Sequence, residues 1–136
     1  MIVLDASVIV KWFVQEADSP LALTYKAQLV SGRQIIAAPD LLLYEVASAL
    51  RKKPDVTPEA IEIAVEGLLD VGLHVVDPTP ALLKEAAHLS LATHLTVYDC
   101  TYLALANELD CSLITADHAL VRQAEPLAAA RLLSTR

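Results

Sequence analysis

Three times along this chain a hydroxyl residue stands directly before a proline: Ser19-Pro20, Thr57-Pro58 and Thr79-Pro80. A Ser or Thr side chain accepts a hydrogen bond from the open N–H groups of a helix start. Proline suits the first helical position, because its missing N–H has no partner there anyway. Three helix starts are therefore written into the sequence. What lies between helices is short. Ile2 to Leu4, Gln34 to Ala38, Leu73 to Val76 and Ser112 to Thr115 are largely apolar runs, too brief for helices and without the alternation of a half-exposed strand. They predict strands buried on both sides. Ala6 to Val14 reads as helical. The helix from Ser19 closes at Gly32, the one from Thr57 at Gly72, and the one from Thr79 near Ala92. Asp40 caps a helix that ends before Pro54, Thr96 caps one to about Leu109, and Asp117 caps a short one. Ala130 to Leu133 reads as a last short strand. Short strands alternating with helices argue for the α/β class, a parallel sheet covered on both faces and joined by right-handed crossovers. At 136 residues, a single domain spanning 1–136 is expected.

Composition removes several functions. The three glycines, at 32, 67 and 72, leave no Gly-rich phosphate loop, so dinucleotide binding by such a turn and P-loop NTP hydrolysis are excluded. Acids outnumber bases 17 to 10, a formal net charge of −7, so the surface as a whole does not attract nucleic acid or anionic membrane. Cys100 and Cys111 lie in apolar surroundings without a C-x-x-C spacing and read as buried thiols in a reducing cytoplasm. Asp5 and Lys11 interrupt the apolar start, and no run approaches the roughly 18 residues of a spanning helix. Neither a secretory signal nor a membrane partner is expected.

The acids are placed in a pattern. In an open parallel sheet, function gathers outside the carboxyl ends of the strands. Asp5 directly follows the first strand, and Asp117 lies two residues after the strand ending at Thr115. Asp99 is in the first turn of the helix feeding that later strand, and so at the same edge. Glu45 lies on the helix after the second strand, about 7 Å along its axis from the cap. Four acids from four segments thus converge on one rim. Singly, Asp5 and Asp117 also read as ordinary N-caps, and Thr96-Val-Tyr-Asp99 as a capping box. Glu45 fits that reading less well, since it sits beyond the cap among Leu41, Leu42, Leu43, Val46 and Leu50. No basic residue in these motifs pairs with the acids. A divalent cation resolves the repulsion, and oxygen-only ligands favour Mg²⁺ or Mn²⁺ over zinc.

Such a site usually acts on phosphates. A haloacid-dehalogenase-type phosphatase needs a second Asp at position 7, which is Ser7. A receiver-type phosphoacceptor needs an acidic pair at the first strand's end, but Ala6 follows Asp5. Metal-dependent phosphodiester hydrolysis lacks nothing. At this point four segments resemble a known family: Met1-Ile-Val-Leu-Asp5-Ala-Ser7, Pro39 to Leu50 around Glu45, Thr96-Val-Tyr-Asp99 to Ala106, and Leu113-Ile-Thr-Ala-Asp117-His-Ala-Leu120. They look like the PIN domain, and within it the VapC-like toxins of toxin–antitoxin pairs. The resemblance covers essentially the whole chain. It implies a three-layer α/β/α fold around a short-stranded, largely parallel sheet of four to five strands. It implies a Mg²⁺- or Mn²⁺-dependent ribonuclease, a homodimer, and a small antitoxin that blocks the site. By that resemblance Asp5, Glu45, Asp99 and Asp117 form the acidic tetrad, and Ser7 and Thr115 are hydroxyls near the metal. Position 119, acidic in many members, is Ala119 here, which removes a ligand for a second metal. The expected roles are Asp5, Asp99 and Asp117 on the metal and Glu45 on the attacking water.

Other residues carry weaker expectations. Lys11, about two turns after Asp5, is a candidate RNA phosphate contact. Arg51-Lys52-Lys53 reads as a solvated helix end, and His118 as a surface residue beside Asp117. Trp12-Phe13 reads as core or an interface edge. Leu41 to Leu50 reads as core on one side and a dimer face on the other. The chain's acidity suits a basic partner, such as an antitoxin arm carrying Arg or Lys. A non-enzymatic binding or scaffold domain on the same fold, or a solitary nuclease without an antitoxin, is the alternative.

Overall fold

A computed structural model describes residues 1–125 and 130–133. Its sheet has five strands, all parallel: β1 (Ile2–Leu4), β2 (Ile36–Pro39), β3 (His74–Val76), β4 (Leu113–Thr115) and β5 (Ala130–Leu132). Their spatial order is β3-β2-β1-β4-β5. Every residue of β1, β2 and β4 is buried, as expected of strands covered on both faces. Val3 sits opposite Ala37 on one side and Leu113 on the other. The α/β reading and the parallel sheet hold, and the short terminal strand is present.

Seven α-helices surround the sheet among the described residues: α1 (Ala6–Ile9), α2 (Ser19–Val30), α3 (Leu41–Arg51), α4 (Pro58–Asp70), α5 (Pro80–Thr93), α6 (Val97–Glu108) and α7 (His118–Ala124). Thr57, Thr79 and Thr96 each accept a hydrogen bond from the backbone N–H three residues on, at 3.1 Å, so these caps form as expected. Gly32 and Gly72 take positive φ just past α2 and α4, where a side chain would strain the turn.

Three local expectations change. Ser19 is not the cap of α2 but its first residue, and the cap position falls to Asp18 with φ 65° and no side-chain cap bond. The Ser19 hydroxyl turns back instead, donating to the Val14 carbonyl and accepting from Glu16 N–H, which closes the preceding loop. Asp40 precedes α3 with helical φ and ψ, so its carboxylate cannot reach forward to cap. The helix expected over Ala6 to Val14 is a single α-turn continued as a 3₁₀ turn at Val10–Trp12. Trp12 is buried there and donates its indole N–H to Ala22 O, so it is core.

The helix that is apolar all round is α6 rather than α3. Cys100 to Ala106 are all buried, and α6 packs on β1, β2 and β4 beneath α5. Along α3, Leu42, Val46 and Leu50 face inward, whereas Tyr44 is 73% exposed. Both cysteines are free; Cys100 is buried as expected, whereas Cys111 is only partly buried. No helix among the described residues is long and apolar enough to cross a membrane.

Candidate metal-dependent active site

The chain lays down β1, moves outward to β2 and β3, then returns to the far side of β1 for β4 and β5. The crevice between the carboxyl ends of β1 and β4 is therefore the point where strand order reverses, the usual ligand site of such sheets. Asp5 lies at that point and is 6% exposed. Its Oδ1 accepts from the Ser7 hydroxyl at 2.5 Å and from Val8 N–H at 3.4 Å. Its Oδ2 accepts from the Thr115 hydroxyl at 2.5 Å. Each hydroxyl has one proton, and both protons go to Asp5. Their lone pairs in turn hold the β4 end: Ala116 N–H donates across to Ser7 Oγ at 2.9 Å, and Asp117 N–H donates locally to Thr115 Oγ1 at 3.1 Å. Ser7 and Thr115 thus join the β1 and β4 ends and fix the Asp5 carboxylate between them.

Two helices supply the opposite wall. Asp5, Ala6, Ser7, Glu45, Asp99, Tyr102 and Asp117 line one cavity of about 160 Å³. All four expected acids meet there, and no Lys, Arg or His is among the described lining residues. A larger hollow of about 320 Å³ lies between α5 and α6, but Ala81, Leu82, Glu85, Ala104, Asn107 and Glu108 line it, and only two of these are acids, both on helices rather than after a strand. Chemistry rather than size marks the site. Tyr102, 1% exposed, donates its hydroxyl to Glu45 Oε1 at 2.6 Å and leaves Oε2 for other contacts. No sequence motif singles out Tyr102 for this role. The signal for it was faint: a buried tyrosine needs a partner for its hydroxyl, and Tyr102 is one helical turn beyond Asp99.

The electrostatics follow from burial and like charge. Asp5 is raised to about 6, chiefly by desolvation with a smaller rise from Asp99, against the lowering effect of Ser7, Thr115 and Val8. Burial also raises Glu45, with Tyr102 lowering and Asp99 raising it. Burial raises Asp99 in turn, and Asp117 adds to this. Asp99 is thus the acid whose charge both Asp5 and Glu45 feel. Burial and the neighbouring Glu45 keep the Tyr102 phenol protonated, so it remains a donor.

This donor set fits a hard divalent cation: only oxygen ligands, three of them raised above the ordinary carboxylate value, and no ammonium or guanidinium among the described lining residues to neutralise them. As they lie, no three Asp, Glu, His or Cys side chains among the described residues already form a ligating group. Lys11 lies outside the cavity, where its ammonium donates to the Ala17 carbonyl at 2.8 Å. Lys53 pairs with Glu16 at 3.3 Å, while Arg51, Lys52 and His118 are exposed.

The known proteins that this chain resembles share this arrangement's fold. The PIN domain model matches residues 2–126. Ribonuclease VapC3 of Pyrobaculum aerophilum is 32% identical over 129 residues, covering 90% of this chain and 93% of that protein. The crystal structure of Mycobacterium tuberculosis VapC20, described as a toxin that cleaves the sarcin-ricin loop, superposes with a TM-score of 0.72 at 16% identity, covering 90% of this chain and 94% of that one. A toxin–antitoxin complex from Klebsiella pneumoniae superposes with a TM-score of 0.73 at 14% identity, covering 98% of both. The switch-point carboxylates, the all-parallel sheet order and the match along nearly the whole chain together make this protein a member of the PIN domain family.

Proposed function

We propose that this protein is a Mg²⁺- or Mn²⁺-dependent endoribonuclease, the toxin of a toxin–antitoxin pair. The observation that carries the reading is the meeting of Asp5, Glu45, Asp99 and Asp117, from four separate segments, in one cavity with no basic residue among its described lining residues. The identity with a protein named Ribonuclease VapC3, and the likeness to a toxin–antitoxin complex, support the substrate class and the pairing with an antitoxin. A homodimer is part of the proposal. So is an antitoxin arm with an Arg or Lys reaching into the acidic cavity, where it would supply the positive charge the lining lacks.

In this reading Asp5, Asp99 and Asp117 would hold the cation. When bound, the cation would neutralise charge on the scissile phosphate and ease loss of a proton from water. Ser7 and Thr115 keep Asp5 fixed, so its remaining lone pairs face the cavity. Tyr102 holds one oxygen of Glu45, leaving Oε2 to orient the attacking water and accept its proton. Glu45 suits this role because burial raises its affinity for a proton. Water rather than the ribose 2′-hydroxyl attacks, so the products carry a 5′-phosphate and a 3′-hydroxyl.

The test is cleavage of RNA by the wild type with Mg²⁺ or Mn²⁺, with a chelator, and by Asp5→Asn and Asp99→Asn. Cleavage confined to the metal-supplied wild type is expected. Equal cleavage by all three proteins, or a 2′,3′-cyclic phosphate product, overturns the reading.

A further inference from the structure

The acids of the cavity are unequally covered. Asp5 is buried, Glu45 and Asp99 are half-buried, and Asp117 alone of the four is exposed. The cavity is therefore most open at the start of α7, which Asp117 caps. A strand of RNA with one phosphate among these acids leaves over that side. There it meets a chain with a net charge of −7, and its next phosphates need positive charge from the protein itself. Few cations stand on the segments that carry the cavity residues. Helix α6 has none. Lys11, just after α1, is turned to the Ala17 carbonyl. Arg51 ends α3 on the stripe of Tyr44 and Ser48, the face that a homodimer would cover. Arg122 remains, on α7 itself. It is exposed and makes no ion pair or hydrogen bond among the described residues. Between Asp117 and Glu125 the helix carries no acid.

We propose that Arg122 holds a backbone phosphate of single-stranded RNA, next along the strand from the phosphate that is cut. The proposal rests on the nuclease reading for what lies in the cavity, but phosphate binding can be measured without cleavage. Arg122 is five residues past Asp117, about 7 Å along the helix axis. Long side chains on a helix lean toward its N-terminus, so this arginine covers the turn of His118, on the side of the cavity. His118 is exposed one turn earlier on the same face and brings a further N–H donor. A guanidinium presents paired N–H donors that match two oxygens of one phosphate. Arg122 also lies in the last turn of α7, where its charge suits the helix dipole. A dipole contribution does not depend on RNA, so the two roles separate by experiment. The antitoxin arm proposed above is basic and gains nothing from Arg122, which leaves this cation to the substrate.

The experiment compares Arg122→Ala, Arg122→Lys and Arg33→Ala with wild type. Both arginines are exposed, so the variants keep the fold, and Arg33 precedes β2 at the amino edge of the sheet, away from the cavity. The probes are a 5′-labelled mixed-sequence single-stranded RNA and the same RNA with neutral methylphosphonate linkages, in Mn²⁺. Binding is read by anisotropy over a salt series before cleavage proceeds, and cleavage by KM and kcat. Arg122→Ala should weaken binding about fivefold at low salt, the upper end for an exposed charge pair. Its plot of log affinity against log salt should be shallower by about 0.7, the share of one phosphate contact on a single strand. KM should rise in step with little change in kcat. Arg122→Lys should keep the salt slope, and Arg33→Ala should match wild type. The neutral RNA should erase the difference between wild type and Arg122→Ala. An Arg122→Ala variant that binds RNA as wild type does overturns the proposal, and a lower melting temperature then assigns the residue to the helix dipole. An equal loss in Arg33→Ala also overturns it, since any surface charge would then serve. So does a change in oligomeric state by light scattering that accounts for the loss, which assigns Arg122 to a second copy. Wild type that binds in an Arg122-dependent way without cutting defeats the nuclease reading and keeps the phosphate contact. Wild type that neither binds nor cuts defeats both.

Discussion

Asp5 and Asp117 follow neighbouring parallel strands and both accept backbone N–H groups at the start of the next helix. Their surroundings diverge from there. Asp117 is exposed, and its Oδ1 takes the N–H groups of Ala119 and Leu120 at 2.9 and 3.2 Å. Asp5 is buried, accepts a weaker backbone bond at 3.4 Å, and is gripped by two hydroxyls. One acid is a helix cap with an oxygen to spare. The other is a carboxylate held in place at an electrostatic cost. Capping and chemistry are therefore not rival readings of an acid after a strand; depth in the switch-point crevice separates them.

The pair diverges most in activity. Asp5→Asn is expected to lower metal-dependent RNA cleavage by more than about 100-fold, beyond the 10- to 100-fold scale of outer-shell partners. Asp117→Asn keeps the cap and should lose less. Equal losses in parallel kinetic assays would erase the distinction. Stability runs the other way. The folded-state pKa of Asp5 is raised from 3.8 to about 6, so the folded chain binds this proton more tightly than the unfolded chain between those values. Its contribution favours folding below that window and is lost as pH rises through it, by about 3 kcal/mol for a two-unit shift. Without divalent metal, Asp5→Asn should therefore melt above wild type at pH 7, and the gap should close near pH 4. A lower melting temperature for Asp5→Asn at pH 7 would show that the hydroxyl grip outweighs desolvation.

Smaller effects sharpen the same contrast. Thr115→Val removes the Asp5 Oδ2 donor and the acceptor of Asp117 N–H together, with a cleavage loss of roughly 10- to 100-fold expected in steady-state assays. Tyr102→Phe frees Glu45 and should lower kcat by about tenfold, the lower end of that scale, with a smaller change in KM. Asp117→Ala removes a cap and should cost about 1 kcal/mol in denaturant unfolding, most of which Asp117→Asn restores.

What the sequence could reveal followed from distance along the chain. Thr57, Thr79 and Thr96 each meet their partner three residues away, and short apolar runs are visible as runs. The four acids were legible because strand ends fix them to one edge, whatever the details of packing. The Tyr102–Glu45 bond was not, since it spans 57 positions and depends on how α3 and α6 pass each other. Ser19 and Asp40 were misread for a subtler reason. The residue types suit a cap, but the incoming loop sets the backbone angles at the helix start, and Asp18 and Asp40 adopt conformations from which no side-chain cap forms. Nor does composition reveal that Lys11 turns to Ala17.

The bond from Thr115 to Asp5 spans 110 positions. During synthesis at about 5–20 residues per second, roughly 5 to 20 s separate the appearance of Asp5 from that of Thr115. Through that interval β1 has no β4 beside it, and the Asp5 carboxylate has neither its second hydroxyl nor its burial. A ribonuclease built this way would emerge from the ribosome inert and mature only as its last segments dock. The cell's own RNA, including the ribosome making the chain, would be spared until an inhibitor has a finished site to seize.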